Sequence, residues 1–418
     1  MRVSTTVEKN DLPDRFREVF KIIPKDSWYR RPQVLADRER QNSLLKDYFD
    51  ERYTIERSLV LAVTHWDQWG TFPSVTHSGR YYQLYQFVHV LTSIYPRLSL
   101  KGQSRVRGYL KDGLQSDNGL AAFAHELAVA VHLWSADFDV EFTDIEGHTR
   151  FDILARRGSI DLEVDCKTVS GDVGRQIHRR RALELFNRIR PAVSRLLEKG
   201  RGRTVDIVLP GALHGAEPYM NAVTNVVSDA ILQDKSQSIA DVADVCLGEF
   251  DLHDEPLLLA GAPTQQALEN VAARLGHPNS NVICHGNLQQ GAAVVVAASS
   301  RKPDRVVDGI YRAMKASAEG QFGGANPALL AIRILDLTMA QLRELTSGRL
   351  GAISNRLLTG EHRAHLFGVA FLSPADSLSV SPDGASFSSQ GMSLLFRNEQ
   401  HPLSQDPRLA IFERRPRR

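Results

Sequence analysis

Between residues 159 and 170 the chain alternates apolar and charged positions with a period of two. Read as a strand, "IDLEVDCKTV" sends Leu162, Val164 and Cys166 to one face, and Asp161, Glu163, Asp165 and Lys167 to the other. Upstream the period changes. "GLAAFAHELAVAVHLW", from Gly119 to about Trp134, is apolar nearly all round and predicts a buried helix, with Ser116, Asp117 or Asn118 available as its cap. Short strands follow at 137–142 and 149–155, separated by the "EGH" turn. After the alternating strand, Gly171 and Gly174 lead into a long helix ending near "EKGRG", and "TVDIVLP" (204–210) reads as a fourth strand. The order from 116 to 210 is α, β, β, β, α, β.

The flanking segments differ. Residues 1–115 carry helical apolar spacing with interleaved aromatics, as in "RSLVLAVTHWDQWGTF" and "RYYQLYQFVHVLTSIY", and predict a helical N-terminal region. From 211 to 418, apolar strands ("NVICHG", "AAVVVAAS", "ALLAIRIL") alternate with helices such as "DRVVDGIYRAMKASAEGQ". They predict a C-terminal α/β region with a strand-rich end at about 363–414 and a basic "RRPRR" tail. The class is α/β throughout.

Composition sets limits on this picture. At 418 residues, 42% hydrophobic and 24% charged, the chain has the make-up of an ordinary globular protein with two or three domains. Three scattered cysteines give no disulfide framework, so a reducing cytoplasm is the expected compartment. The N-terminus lacks the apolar core of a signal peptide, and the longest apolar run (292–298) is far too short to span a bilayer. No membrane partner is expected.

The net charge of +2 argues neither for nor against nucleic acid, but charge is unevenly placed. Residues 175–203 hold ten arginines and lysines against Glu184 and Glu198. Such a concentration fits contacts to phosphate backbone, with Arg175, Arg179, Arg180 and Arg181 nearest the alternating strand. Ser170 and Gln176, at the turn and helix start, are placed to help position a phosphate. His253, His277, His285, Cys246 and Cys284 lack zinc-ligand spacing, and no nucleotide-binding loop or nucleophile elbow occurs.

Candidate chemistry gathers around the alternating strand. Three carboxylates along one edge can be a solvated face or a metal site. Glu126 on the apolar helix is costly to desolvate without a positive partner. Asp152, in "FDILA", precedes Asp165 by thirteen residues, a length that lets the two meet across a strand–turn–strand connection. Carboxylates converging in this way repel one another unless a hard divalent cation joins them, and oxygen ligands suit Mg²⁺ or Mn²⁺. Lys167, on the face of Asp165, could orient an attacking water and stabilise charge on a phosphate. Metal-activated water with a nearby ammonium group describes phosphodiester hydrolysis.

With these residues in hand, the segment from about 116 to 210 resembles the PD-(D/E)XK nuclease superfamily, the restriction-endonuclease-like fold. The resemblance lies in the glutamate-bearing helix, "FDI", "EVDCK" and the following basic helix. It implies that Asp152 and Asp165 are acidic ligands, Lys167 the lysine and Glu126 the helix glutamate, which holds the metal directly or through water, with Mg²⁺ or Mn²⁺ as cofactor. Phe151 stands where the name-giving proline would be, and Glu163 is an alternative to Asp165 as ligand. The implied function is hydrolysis of nucleic acid, DNA more than RNA, with a homodimer if both strands of a duplex are cut. A nuclease effector triggered by a ligand or partner, as in a defence system, and a non-catalytic nucleic-acid-binding scaffold are the alternatives.

Overall fold

The computed structural model describes residues 1–75, 79–198, 200–254, 281–287, 291–335, 348–372, 377–380, 386–390, 393–409 and 411. The C-terminal "RRPRR", Lys199 and His277 lie outside them. Its elements are helices together with mixed parallel and antiparallel sheets. The chain divides into two compact units. The first comprises Met1–Arg38, Asp47–Val173 and Val307–Arg418, and the second Glu39–Lys46 and Gly174–Val306.

In the first unit a short strand β1 (Val7–Glu8) precedes helices α1 (Leu12–Ile22), α2 (Lys25–Gln41), α3 (Leu45–Arg52), α4 (Thr54–Trp69), α5 (Gly79–Ile94), α6 (Leu100–Gln115) and α7 (Ala121–Ser135). The last turn of α2 and the first residues of α3 belong to the second unit. Apolar positions at helical spacing explain α1, where Leu12, Phe16, Val19 and Ile22 are buried. These helices do not form a core of their own. Val19, Leu59, Leu91 and Leu110 share one continuous core with Leu133 of α7 and with Leu162, Val164 and Leu329 of the sheet.

The main sheet of this unit has six strands. Strand β2 (Asp139–Phe142) leads through the single-turn helix α8 (Thr143–Glu146) to β3 (Ile153–Arg157) and then β4 (Ile160–Ser170). These three pair antiparallel. On its other side β4 pairs in parallel with β10 (Ala328–Leu335), in a register that sets Asp165 beside Leu330. Beyond β10 lie β11 (Leu366–Leu372), parallel to it, and β14 (Ser393–Arg397), antiparallel at the end. A parallel pair needs a crossover, and here that crossover contains Gly174–Val306 followed by the helix Val306–Gly320.

The second unit has a separate sheet. Helix α9 (Arg179–Leu197), β5 (Gly202–Leu209), α10 (Glu217–Gln233), β6 (Gln237–Ile239), β7 (Ala243–Phe250), β8 (Asn281–Asn287) and β9 (Ala292–Ser300) are its described elements. The strand order is β6-β7-β5-β9-β8, with β5 parallel to β9. Leu185, Ile189 and Leu196 of α9 share a core with Val223 and Val227 of α10. The unit's entry and exit meet, since the Arg305 amide donates to the Gly174 carbonyl at 2.8 Å.

Three expectations are corrected. The strand at 204–210 does not complete the sheet of β4; it pairs with β7 and β9, and β10 takes the place beside β4. Both 204–209 and 328–335 are largely apolar runs suited to a central strand, so sequence alone does not distinguish them. Residues 211–418 are not one region but are divided between the two units. Helix α7 is not capped from 116–118. Its first amide, Leu120 N–H, donates to Glu56 Oε1 of α4 at 2.7 Å. Burial pushes that carboxyl up to about 7. No helix among the described residues is long and apolar enough to cross a membrane.

Candidate active site

The antiparallel register of β3 and β4 joins Ile153 to Val164, so one residue further along it sets Asp152 opposite Asp165. Asp152 lies just outside β3, and its Oδ2 accepts the Cys166 amide at 2.6 Å. Asp165 is only 1% exposed. Its Oδ2 accepts the Ser317 hydroxyl at 2.6 Å and lies 3.7 Å from Lys167 Nζ. Each aspartate thus has one carboxylate oxygen held, while no Oδ1 partner occurs among the described residues.

The charged side of β4 is not a solvated face. Glu163 is 3% exposed, close to the figure for Asp165, whereas Asp161 is open to water and Lys167 partly so. Burial raises the proton affinity of the group. It lifts Asp152 to about 7, with the charge of Asp165 adding to the effect and the Cys166 amide opposing it. Glu126, half-buried on α7, is raised well above the usual carboxylate range by burial, then by Asp152, Asp144 and Asp165. Asp165 is raised by burial and held down by Lys167 and Ser317. Buried Cys166 is pushed well up, which makes it inert as a nucleophile.

The sign of the Asp152 shift gives a prediction. Between the ordinary value near 3.8 and about 7, the folded chain keeps a proton that the unfolded chain releases. Its ionisation therefore opposes folding, and stability falls as pH rises through that window. Asp152→Asn should raise stability of the cation-free protein at pH 8 by on the order of 2 kcal/mol, with the gain vanishing toward pH 4. Urea unfolding at the two pH values measures this; an equal effect at both would contradict it.

Glu163 is engaged elsewhere. Its Oε2 accepts the Gly323 amide at 2.8 Å and its Oε1 the Asn326 side-chain amide at 3.1 Å, so it closes the turn leading into β10. Both its oxygens thus serve that turn, a structural role beside the ligand role expected of it. Glu163→Gln should lower stability by about 1–2 kcal/mol, since the charged acceptor is lost. Activity should change less than tenfold. A loss of activity with unchanged unfolding would mark it as a ligand.

Among the described residues no group of three or more His, Cys, Asp or Glu side chains is gathered to hold a metal ion. The donor set nevertheless suits Mg²⁺ or Mn²⁺. Magnesium is commonly held by one or two carboxylates, with water and phosphate oxygens completing its shell. Asp152 and Asp165 supply that pair.

The residues expected to meet phosphate lie apart in the fold's organisation. Ser170 belongs to the first unit, where its hydroxyl accepts the Asp172 amide at 3.2 Å. Arg175, Gln176, Arg179, Arg180 and Arg181 belong to the second. There the Gln176 amide donates to Asp304 at 2.8 Å, and Arg180 and Arg181 both pair with Glu184. Further along, Arg188 pairs with Glu217, Arg201 with Glu249, and Arg203 with Asp234 and Glu249. Acids that folding brings from farther along the chain thus meet Arg188, Arg201 and Arg203, part of the local basic excess.

Two residues near the site were not singled out from sequence. Asp144 on α8 ion-pairs with Arg105 at 3.8 Å and accepts the Tyr109 hydroxyl. Ser317 had a legible signal: with Ile310 and Met314 it falls on the buried stripe of its helix, a polar residue at a core position. Compared with family models, curated proteins and solved structures, the chain matches none.

Proposed function

We propose that this chain is a divalent-metal-dependent nuclease of the PD-(D/E)XK kind. Its core would be α7, β2, β3, β4, the Val306–Gly320 helix and β10. One observation carries the reading: half-buried Asp152 and buried Asp165 face each other across the β3–β4 pair, with Lys167 beside Asp165. The order helix, three antiparallel strands, crossover helix and parallel strand supports it further.

Asp152 and Asp165 would hold the cation. When bound, Mg²⁺ or Mn²⁺ supplies Lewis acidity toward a phosphoryl oxygen and makes water a stronger acid. The side chains do the rest. Lys167 opposes the burial that raises Asp165, and would place an ammonium group where negative charge grows on the phosphate. Burial and the nearby carboxylates raise the proton affinity of Glu126 in the cation-free site. Asp152 would have to give up its proton to hold the cation, so affinity for Mn²⁺ would rise with pH up to about 7.

Nucleic acid as substrate rests on this chemistry rather than on the basic helix, where Arg180, Arg181 and Arg188 are ion-paired. DNA over RNA and a homodimer for duplex cutting follow from the resemblance, and a cytoplasmic setting from the three scattered cysteines. One observation favours a triggered form of the same activity: a compact second unit interrupts the chain between β4 and the helix bearing Ser317.

The test is incubation with supercoiled plasmid, linear duplex, single-stranded DNA and RNA in Mg²⁺, Mn²⁺ or EDTA, beside Lys167→Ala and Asp152→Ala. Metal-dependent cleavage lost in both variants is the expected result. Nucleic-acid binding without cleavage, undiminished in both variants, would replace the nuclease by a binding scaffold.

A further inference from the structure

We propose that Ser317 is a positioning residue of this site, fixing Asp165 so that its Oδ1 is presented to the divalent cation. The inference rests on the nuclease reading above. Ser317 is 1% exposed, and its hydroxyl donates to Asp165 Oδ2 at 2.6 Å. Packing does not require a serine there. Its neighbours Ala316 and Ala318 show that the helix accepts alanine, the best helix former, whereas a mid-helix serine is mildly unfavourable.

The hydroxyl contributes something a second cation would not. Lys167 and Ser317 engage the same oxygen, Oδ2, which fixes the carboxylate plane. The neutral donor does so without cancelling the negative charge that attracts the metal. Two lysines on Asp165 would hold it equally still and weaken it as a ligand. A hydrogen bond from outside the ligand set that orients a metal-binding carboxylate typically changes affinity ten- to a hundredfold when removed.

Ser317 also stands at a telling place in the chain. Its helix begins at Val306, where the second unit ends, and the start of the helix is tightly seated: a Cβ on Gly309 would come within 2.9 Å of Val173 Cγ2. Asp165 therefore takes its orientation from the element that follows the inserted unit, not from its own strand alone.

The experiment is titration of the full-length, cation-free protein with Mn²⁺, following free Mn²⁺ by electron paramagnetic resonance. Wild type, Ser317→Ala and Ser317→Cys are compared, with circular dichroism to verify folding. Ser317→Ala should bind Mn²⁺ about tenfold more weakly, and Ser317→Cys, a weaker donor of similar shape, should fall between. Binding by folded Ser317→Ala within twofold of wild type would overturn the proposal and leave the nuclease reading intact. If Ser317→Ala does not fold, the same criterion applies to Ser317→Cys. Absence of Mn²⁺ binding by wild type would overturn the metal site itself, and the role of Ser317 with it.

Discussion

Lys167→Ala is expected to slow phosphodiester cleavage roughly a thousandfold, in the range seen when a positioned proton donor or charge stabiliser is removed. Two effects add. The ammonium group 3.7 Å from Asp165 Oδ2 would no longer offset charge on the phosphate. Asp165, already raised by burial, would also lose the largest influence holding its proton affinity down. The second effect is partly recoverable, because a higher pH or more Mn²⁺ can still displace the proton. The first is not. Single-turnover cleavage measured across pH and Mn²⁺ concentration separates them: the pH profile should move to higher pH while the plateau stays far below wild type. A plateau within tenfold of wild type would remove Lys167 from the chemistry.

Gly174→Ala should destabilise the second unit by about 3 kcal/mol, combining a left-handed backbone with a steric clash. Gly174 has φ +74°, and a Cβ there would sit 2.3 Å from the Arg305 carbonyl oxygen, which belongs to rigid main chain. Gly291 supplies the control. Its φ is +59°, yet an added Cβ meets nothing within 4 Å, so Gly291→Ala should cost only about 1 kcal/mol from backbone strain. Hydrogen exchange of the β5 amides reports on the unit directly. Equal losses for the two variants would mean that the close approach of entry and exit is dispensable.

Much of the site was legible in sequence because it depends on local rules. Alternation along 160–167 placed Asp165 and Lys167 together, and the separation of 152 from 165 matched a hairpin that the register supports. The surroundings were less legible. Whether Glu163 faces water, a metal or a turn depends on Gly323 and Asn326, about 160 residues away. Part of the positive charge in 175–203 looked unopposed only within its own stretch, since Glu217 reaches Arg188 of the helix, and Asp234 and Glu249 reach Arg203 of β5, through the fold. The partner strand of β4 was misplaced because an inserted unit separates it from its crossover helix. Local periodicity gives no sign of so long an interruption, and "TVDIVLP" is as apolar a candidate as "ALLAIRIL".

The position of β4 inside its sheet has a consequence for how the site would work. With β10 paired along β4 from Glu163 to Ser170, β3 paired as far as Val164 and the Cys166 amide held by Asp152 Oδ2, the backbone beneath Asp165 and Lys167 has little freedom to shift. The repulsion between the aspartates must be overcome while the chain folds, before any substrate arrives. A site assembled in advance has little reorganisation left to do when charge moves in the reaction, and that is where fixed groups gain most over mobile solvent.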